Sequence, residues 1–97
     1  MQYDALDERV NVIILDASVP VGKTRPGRFI FRIQRKNGDV MHIAEIKRKV
    51  VNRKGDQFQT QYSIRTADKR YFVLIHYLNV HKNNVSQEWR LKYELAD

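Results

Sequence analysis

The chain has 97 residues, no cysteine and a net charge of +7. A chain of this length forms one domain, residues 1–97, with one modest core. The lack of cysteine excludes disulfides and thiolate metal sites, and no apolar run approaches the roughly 18 residues of a membrane-spanning helix. Residues 1–10 lack the basic and then apolar pattern of a secretory signal. We therefore expect a cytoplasmic protein with no membrane partner.

The positive charge is concentrated in about one third of the sequence. Residues 23–54 contain eleven Lys and Arg residues against two acids, a net +9, whereas the rest of the chain sums to about −2. A concentrated positive surface attracts polyanions through long-range electrostatic steering. The charge distribution favours a nucleic-acid partner, although an acidic protein partner or a solubilising surface would produce the same composition.

The N-terminal part of the chain predicts a strand followed by a loop. Residues 1–8 are acidic and have no clear period, which fits either a short helical turn or a frayed end. Residues 9–16, RVNVIILD, are rich in β-branched side chains and predict the first strand. Residues 17–27 contain two prolines and two glycines and predict a loop.

The central stretch, residues 28–46, predicts a β-hairpin around Asn37-Gly38. Asn and Gly tolerate positive φ and favour a two-residue type I′ turn. Such a turn pairs Arg35 with Val40 and Ile33 with His42, which gives the hairpin one apolar face. That face is expected to contain Phe29, Phe31, Ile33, Val40, Ala44 and Ile46, with His42 as its one polar member. We expect the rest of the chain to pack against it.

Residues 40–51 also fit a helix. Asp39 is positioned to cap such a helix. The apolar residues that recur at near-helical spacing are Val40, Ile43, Ile46 and Val50. We favour a strand because the Asn-Gly turn and the Phe-rich segment before it agree with each other. The segment Arg53-Lys54-Gly55-Asp56 then predicts the next turn.

The second half of the chain predicts three further strands. Their bounds are residues 57–66, 71–78 and 88–95, joined by a turn at residues 67–70 and a loop at residues 79–87. The first and last of these strands alternate between apolar and polar side chains. The middle one is apolar on both faces except at His76, which is typical of a strand covered on both sides.

The six predicted strands define an all-β fold class. Strands joined in sequence by short connections favour antiparallel pairing. A six-stranded sheet with one apolar face must close on itself or fold over to keep that face dry. We therefore expect a six-stranded antiparallel meander that closes into a small barrel, complete or incomplete, of SH3-like or OB-like proportions.

Several short segments resemble a known kind of domain. They are a V-x-V first strand, an aromatic-basic strand, Tyr62-Ser63-Ile64-Arg65-Thr66, Tyr71-Phe72-Val73-Leu74 and Trp89-Arg90-Leu91. The pattern, over roughly residues 28–95, resembles a small bacterial β domain of uncharacterised function that is found beside or fused to translesion-polymerase-like proteins. It includes no catalytic signature. The resemblance implies an association with nucleic acid.

The sequence contains no recognisable catalytic or metal-binding constellation. Gly22-Lys23-Thr24 follows a strand, as in a phosphate-binding P-loop, but Ala17 replaces the required first glycine and Pro26 blocks the helix that must follow. His76 and His81 are five residues apart and fall on opposite faces of a strand, so they cannot easily share a metal. We expect neither enzymatic activity nor a cofactor.

The basic residues are the best candidates for a function. Nucleic-acid modules of this size combine cations on the phosphates with aromatic rings that stack on bases. The candidate nucleic-acid-binding residues are Lys23, Arg25, Arg28, Arg32, Arg35, Lys36, Lys47, Arg48, Lys49, Arg53 and Lys54. If the loops converge, residues 23–28 and 52–55 lie at one end of their strands and residues 35–39 at the other, so the patch is a stripe along the hairpin.

The aromatic residues give a weaker signal than the cations. Phe29 and Phe31 are expected in the core, and one of Tyr71, Phe72 and Tyr77 is the best candidate for an exposed ring. We expect a small basic module that contacts the nucleic-acid backbone, DNA or RNA, with little sequence specificity. The competing hypothesis is a protein-interaction module that docks on an acidic partner or pairs with it through an edge strand.

Overall fold

The computed structural model describes residues 2–16 and 28–96, with side chains for residues 3–14 and 32–95. The described residues form six strands that close into a ring in sequence order, each antiparallel to its neighbours. The strands are β1 (Gln2–Asp16), β2 (Arg28–Gln34), β3 (Val40–Lys54), β4 (Gln57–Thr66), β5 (Tyr71–His81) and β6 (Asn84–Ala96). The predicted all-β meander is therefore confirmed. The loop predicted over residues 17–27 lies outside the described residues.

Two strands are shared between a small sheet and a large one. β1 pairs with β6 as far as Val10 and then with β2 from Asn11 onward. β3 pairs with β2 only from Val40 to His42 and with β4 from Ile43 onward. A bulge at Ile43–Glu45 accompanies this change of partner. Strands that switch sheets at bulges make the corners of a small barrel.

The core fills the interior of the ring on the side of the two turns at residues 35–39 and 66–70. Its buried members are Val10, Ile33, Met41, Ile64, Phe72, Leu74 and Leu91. Each such side chain contributes about 1.5–3 kcal/mol by leaving water. Leu6, Val12, Ile43, Ile46, Tyr62 and Trp89 are partly buried and pack against this cluster. The face of each strand that carries these residues is called the inner face below.

The hairpin between β2 and β3 has a three-residue loop, so the predicted type I′ turn is wrong. The Arg35 amide donates to the Asp39 carbonyl at 2.8 Å, and the Gly38 amide donates to the Arg35 carbonyl at 3.0 Å. Gly38 has φ +91°, whereas Asn37 does not have a positive φ. This pattern fits a type I turn followed by a glycine bulge. The Asn37 side chain stabilises it by accepting a hydrogen bond from the Asp39 amide at 2.9 Å.

The extra loop residue shifts the pairing of β2 with β3 by one residue. The first side chains of β3 therefore lie on the opposite face from the one predicted. Ile33 pairs with Met41, and Gln34 pairs with Val40. Met41 is buried at 6% exposure, whereas Val40 is 49% exposed. A one-residue shift moves every side chain to the opposite face. The predicted apolar face is therefore wrong for Val40, His42 and Ala44, which are exposed. It is right for Ile33 and Ile46, which lie in or against the core. The side chains of Phe29 and Phe31 are not described.

Two element boundaries also differ from those predicted, and the strand favoured over residues 40–51 is confirmed. β1 begins at Gln2, so residues 2–8 extend the first strand. β3 is a strand throughout, which excludes the helix over residues 40–51. The loop predicted over residues 79–87 is instead the tip of a hairpin, in which His81 pairs with Asn84. Residues 81–87 are exposed, so their polar side chains are compatible with a strand and give no apolar alternation.

Candidate functional site

Of the eleven candidate cations, the structure describes the side chains of eight, and it does not gather these eight on one face. Lys23 and Arg25 lie outside the described residues, and Arg28 is described only as part of the β2 backbone. Arg32 is exposed on β2, and Lys36 is exposed in the turn at residues 35–39. The turns at residues 35–39 and 55–56 lie at opposite ends of β3, as expected from strand direction.

Arg35 is held in an ion pair inside one end of the ring. Its Nε and Nη2 atoms donate to the Glu8 carboxylate at 3.1 and 2.9 Å, and the two side chains are only 14% and 19% exposed. This hydrogen bonding lowers the pKa of Glu8 and raises the pKa of Arg35. Arg35 is therefore poorly placed to contact a phosphate.

A second ion pair lies beside the first. Arg70 donates through Nε and Nη2 to the Glu94 carboxylate at 3.0 and 2.9 Å, and its guanidinium lies 4.9 Å from the centroid of the Phe72 ring. The hydrogen bonds that Arg70 donates to the Glu94 carboxylate raise the pKa of Arg70. Both pairs join inner-face residues, so together they cover this end of the apolar core with matched charges.

The remaining candidates lie on β3 and have no carboxylate partner within the described part of the chain. They are Lys47, Arg48, Lys49, Arg53 and Lys54, and all five are exposed. β3 contains no acid after Glu45, which pairs with Arg65 at 3.2 Å. The positive charge of residues 47–54 is therefore not compensated within the strand or by the described neighbours.

Two of the five cations lie on the inner face of β3. Register pairs Lys49 with Tyr62 and Arg53 with Phe58. The Lys49 Nζ atom lies 5.8 Å from the centroid of the Tyr62 ring, and the Arg53 guanidinium lies 5.1 Å from that of Phe58. Both separations are within the range of a cation–π interaction.

The other three cations lie on the outer face. Alternation places Arg48 and Lys54 opposite to their inner-face neighbours. Lys47 belongs to a bulge at Ile46–Arg48, and its Nζ atom lies 5.6 Å from the centroid of the Tyr71 ring. The candidate cations of β3 therefore surround this strand on both sides instead of forming one stripe.

The inner face beside Lys49 and Arg53 carries a cluster of stacked rings. The Trp89 ring stacks on His76 with centroids 4.3 Å apart and on Tyr62 with centroids 5.8 Å apart. The His76 Nε2 atom lies 3.0 Å from the Gln87 Oε1 atom. We call the set Lys49, Arg53, Phe58, Tyr62, His76 and Trp89 the aromatic–cation face.

The register of three strands brings these rings together. His76 and Trp89 are direct cross-strand partners on β5 and β6, and Thr60 of β4 faces His76 from the other side. Tyr62 is therefore a diagonal neighbour of His76. The four rings of the face are half-buried, and Val51 and Val85 on the same inner face are 58% and 67% exposed. The apolar core does not cover this end of the large sheet.

Two of the three rings that the sequence offered as candidates for exposure are partly accessible. Phe72, one of the three candidates, is fully buried in the core, and Tyr71 and Tyr77 are half-buried on the outer face. Alternation along residues 57–66 did place Phe58 and Tyr62 on one side. The sequence has no local signal that this side is only half covered, because that depends on where β1 and β3 change partners.

Comparisons of the chain with protein-family models, with curated proteins and with solved structures found no match. The resemblance to a small bacterial β domain therefore stays a prediction. Within residues 2–16 and 28–96, no group of three or more His, Cys, Asp and Glu side chains is arranged to hold a metal ion, and no helix is long and apolar enough to cross a membrane. The exposed cations and the aromatic–cation face are the features on which a functional proposal rests.

Proposed function

We propose that the protein is a small basic module that binds nucleic acid, mainly through the phosphate backbone and with little sequence specificity. The observation that carries the proposal is the group of five exposed cations at residues 47–54 of β3, three on its outer face and two on its inner face, which have no carboxylate partner among the described residues. Such charges attract a polyanion, and Lys and Arg side chains form charge-assisted hydrogen bonds with its oxygens.

The length of this part of β3 suits several phosphates. Residues 47–54 extend over about 23 Å at roughly 3.3 Å per strand residue. Successive phosphates of one stacked strand are about 3.4 Å apart along the axis, so the segment matches the length of about seven nucleotides. Lys and Arg contacts to phosphate fix position but do not read sequence directly. Low sequence specificity follows from that chemistry.

The proposal is tested with two double variants of equal charge. Arg48→Gln with Lys54→Gln removes two outer-face cations of β3. Lys69→Gln with Lys82→Gln is the matched control, because those lysines are exposed in the turns after β4 and β5. Binding of labelled oligonucleotides is measured by fluorescence anisotropy at about 50 mM salt and at several higher concentrations.

The two variants should differ. The β3 variant should bind all sequences more weakly by a similar factor, and its slope of log K against log salt should be shallower by about 1.4 for a single strand and about 1.8 for a duplex. The control should stay close to the wild-type slope. Equal effects of the two variants would show that net charge alone matters, and no effect of the β3 variant would remove these cations from the interface.

A second candidate function is favoured by the pairing of β3. The β2–β3 ladder ends at Arg32 and His42, and beyond Ile43 the described partners of β3 all belong to β4. An unpaired strand edge is a template for an extended peptide, and the charge of residues 47–54 favours an acidic one. A labelled peptide of alternating Glu and Val tests this, with a control peptide that has Pro at alternate positions and so lacks those N–H donors. Equal binding of the two peptides would contradict strand addition.

A further inference from the structure

We infer that the aromatic–cation face accepts unpaired bases, so that the preferred ligand is single-stranded nucleic acid. This inference rests on the proposed function and deepens it, because it assigns a separate site to the bases. The site consists of the Tyr62, His76 and Trp89 rings, with Phe58, Lys49 and Arg53 beside them.

The rings have the properties of a stacking surface. They are stacked in succession across three strands, with His76–Trp89 and Tyr62–Trp89 interplanar angles of 29° and 28°. Each ring is half-buried, so the sheet fixes its orientation while part of its surface stays accessible. Rings held in this way stack on bases of any sequence, because every base has a π face.

The two cations of the aromatic–cation face favour an anionic ligand. Lys49 and Arg53 lie within 6 Å of the Tyr62 and Phe58 rings, so a base that stacks there brings its phosphate close to a positive charge. A purely apolar ligand would gain nothing from those two cations. Charge and aromatic surface together therefore favour a nucleic acid over a neutral hydrophobic compound.

The same chemistry favours single strands over duplexes. In a duplex the interior bases are stacked on both faces by their neighbours and are paired along their edges. Protein rings stack on bases that are splayed out of a helix, as in loops, ends and single strands. The outer cations Lys47, Arg48 and Lys54 are able to contact the phosphates of either form, so the aromatic–cation face determines the preference.

Trp89 is the single tryptophan of the chain, and its fluorescence therefore reports on this face in the unmodified protein. The probes are an oligothymidylate, a duplex of the same length and a base-free phosphodiester of the same length and charge. Anisotropy of labelled probes measures binding, and Trp89 emission measures contact with the face. We expect the oligothymidylate to quench Trp89 saturably with the same Kd by both readouts, and the duplex and base-free probe to bind more weakly with little quenching.

A variant pair tests the rings directly. Phe58→Leu should weaken oligothymidylate binding by about 5- to 150-fold, the range for loss of one stacked base, and leave duplex binding unchanged. The control is Tyr77→Leu, which removes a half-buried ring from the outer face and should affect neither. Urea unfolding of both variants checks that each is folded at the assay temperature.

The probe measurements distinguish failure of the base site from failure of the proposed function. If all three probes bind with equal affinity and Trp89 emission is unchanged, the proposed phosphate binding stands and the base site is wrong. If no probe binds at about 50 mM salt, the proposed function itself is wrong.

Discussion

The Arg35 guanidinium donates two hydrogen bonds, of 3.1 and 2.9 Å, to the carboxylate of Glu8, a residue 27 positions earlier in the chain. Arg35 was expected at the tip of a hairpin, facing a phosphate. The three-residue loop instead continues the inner-face alternation of Ile33 through Arg35, so the side chain enters the end of the ring beside Glu8. This pair should stabilise the fold and contribute little to binding.

The pair predicts a specific dependence of stability on pH. The Arg35 hydrogen bonds lower the pKa of Glu8 below its ordinary value of 4.5. A carboxylate whose pKa is lower in the folded than in the unfolded state stabilises the protein fully above its unfolded pKa, and this contribution is lost as pH falls through the folded pKa. The free energy of unfolding should therefore fall as pH decreases below about 4.5, in part because of Glu8.

Glu8→Gln should reduce that pH dependence. At neutral pH the substitution should cost about 1–3 kcal/mol, because it weakens a charge-assisted bond to a half-buried guanidinium. As pH falls through the lowered folded-state pKa of Glu8, the variant and the wild type should converge. Urea unfolding at a series of pH values measures both effects. Glu45→Gln is the control, because the side chains of the Glu45–Arg65 pair are more exposed, at 48% and 34%, and exposed ion pairs contribute little to stability. Identical pH dependence of the unfolding free energy for Glu8→Gln and the wild type would contradict the role assigned to Glu8.

The register of the first hairpin predicts opposite outcomes for two adjacent residues. Met41→Ala should destabilise the protein by about 2–4 kcal/mol, because the side chain is buried beside Ile33 and Ile64 in the core. Val40→Ala should change stability by less than about 0.5 kcal/mol, because Val40 is exposed. Chemical denaturation midpoints at constant m-value measure the difference. A two-residue loop would bury Val40 instead, and the order of the two costs would then be reversed.

Gly38 should be difficult to replace for a backbone reason alone. Its φ is +91°, and a Cβ placed on it would meet no atom within 4 Å. Gly38→Val should therefore cost about 1–2 kcal/mol from the positive φ, whereas Gly38→Asn should cost less because Asn tolerates left-handed backbone. Thermal or urea unfolding of the two variants distinguishes them. Equal costs would point to lost packing, which the open space around Gly38 does not support.

Alternation was sufficient to predict β4, because a half-buried strand carries its apolar residues at every second position. It was insufficient at residues 36–38, because Asn-Gly is compatible with two loop lengths. The choice between them depends on the Asn37 hydrogen bond to Asp39 and on the burial of Met41 against other strands. The burial of Met41 is not visible in the local pattern, because it depends on strands that are distant in sequence.

The candidate site could be predicted from the sequence only in part. The sequence indicated that residues 47–54 are basic, and the structure places their side chains on an exposed strand. The sequence contains no indication that Arg35 forms an ion pair with Glu8, because that pair joins distant segments. The stacking of Trp89 with Tyr62 and His76 likewise depends on the register of three strands. Local patterns predict which strands form, whereas the site depends on how those strands are aligned.

The salt dependence of oligonucleotide binding by the wild-type protein tests the central claim most directly. Five phosphate contacts by the β3 cations predict a slope of log K against log salt of about −3.5 for a single strand, at roughly 0.7 per contact. Anisotropy titrations between about 50 and 300 mM salt measure this slope. A slope near zero, or no binding at the lowest salt concentration, would contradict the account.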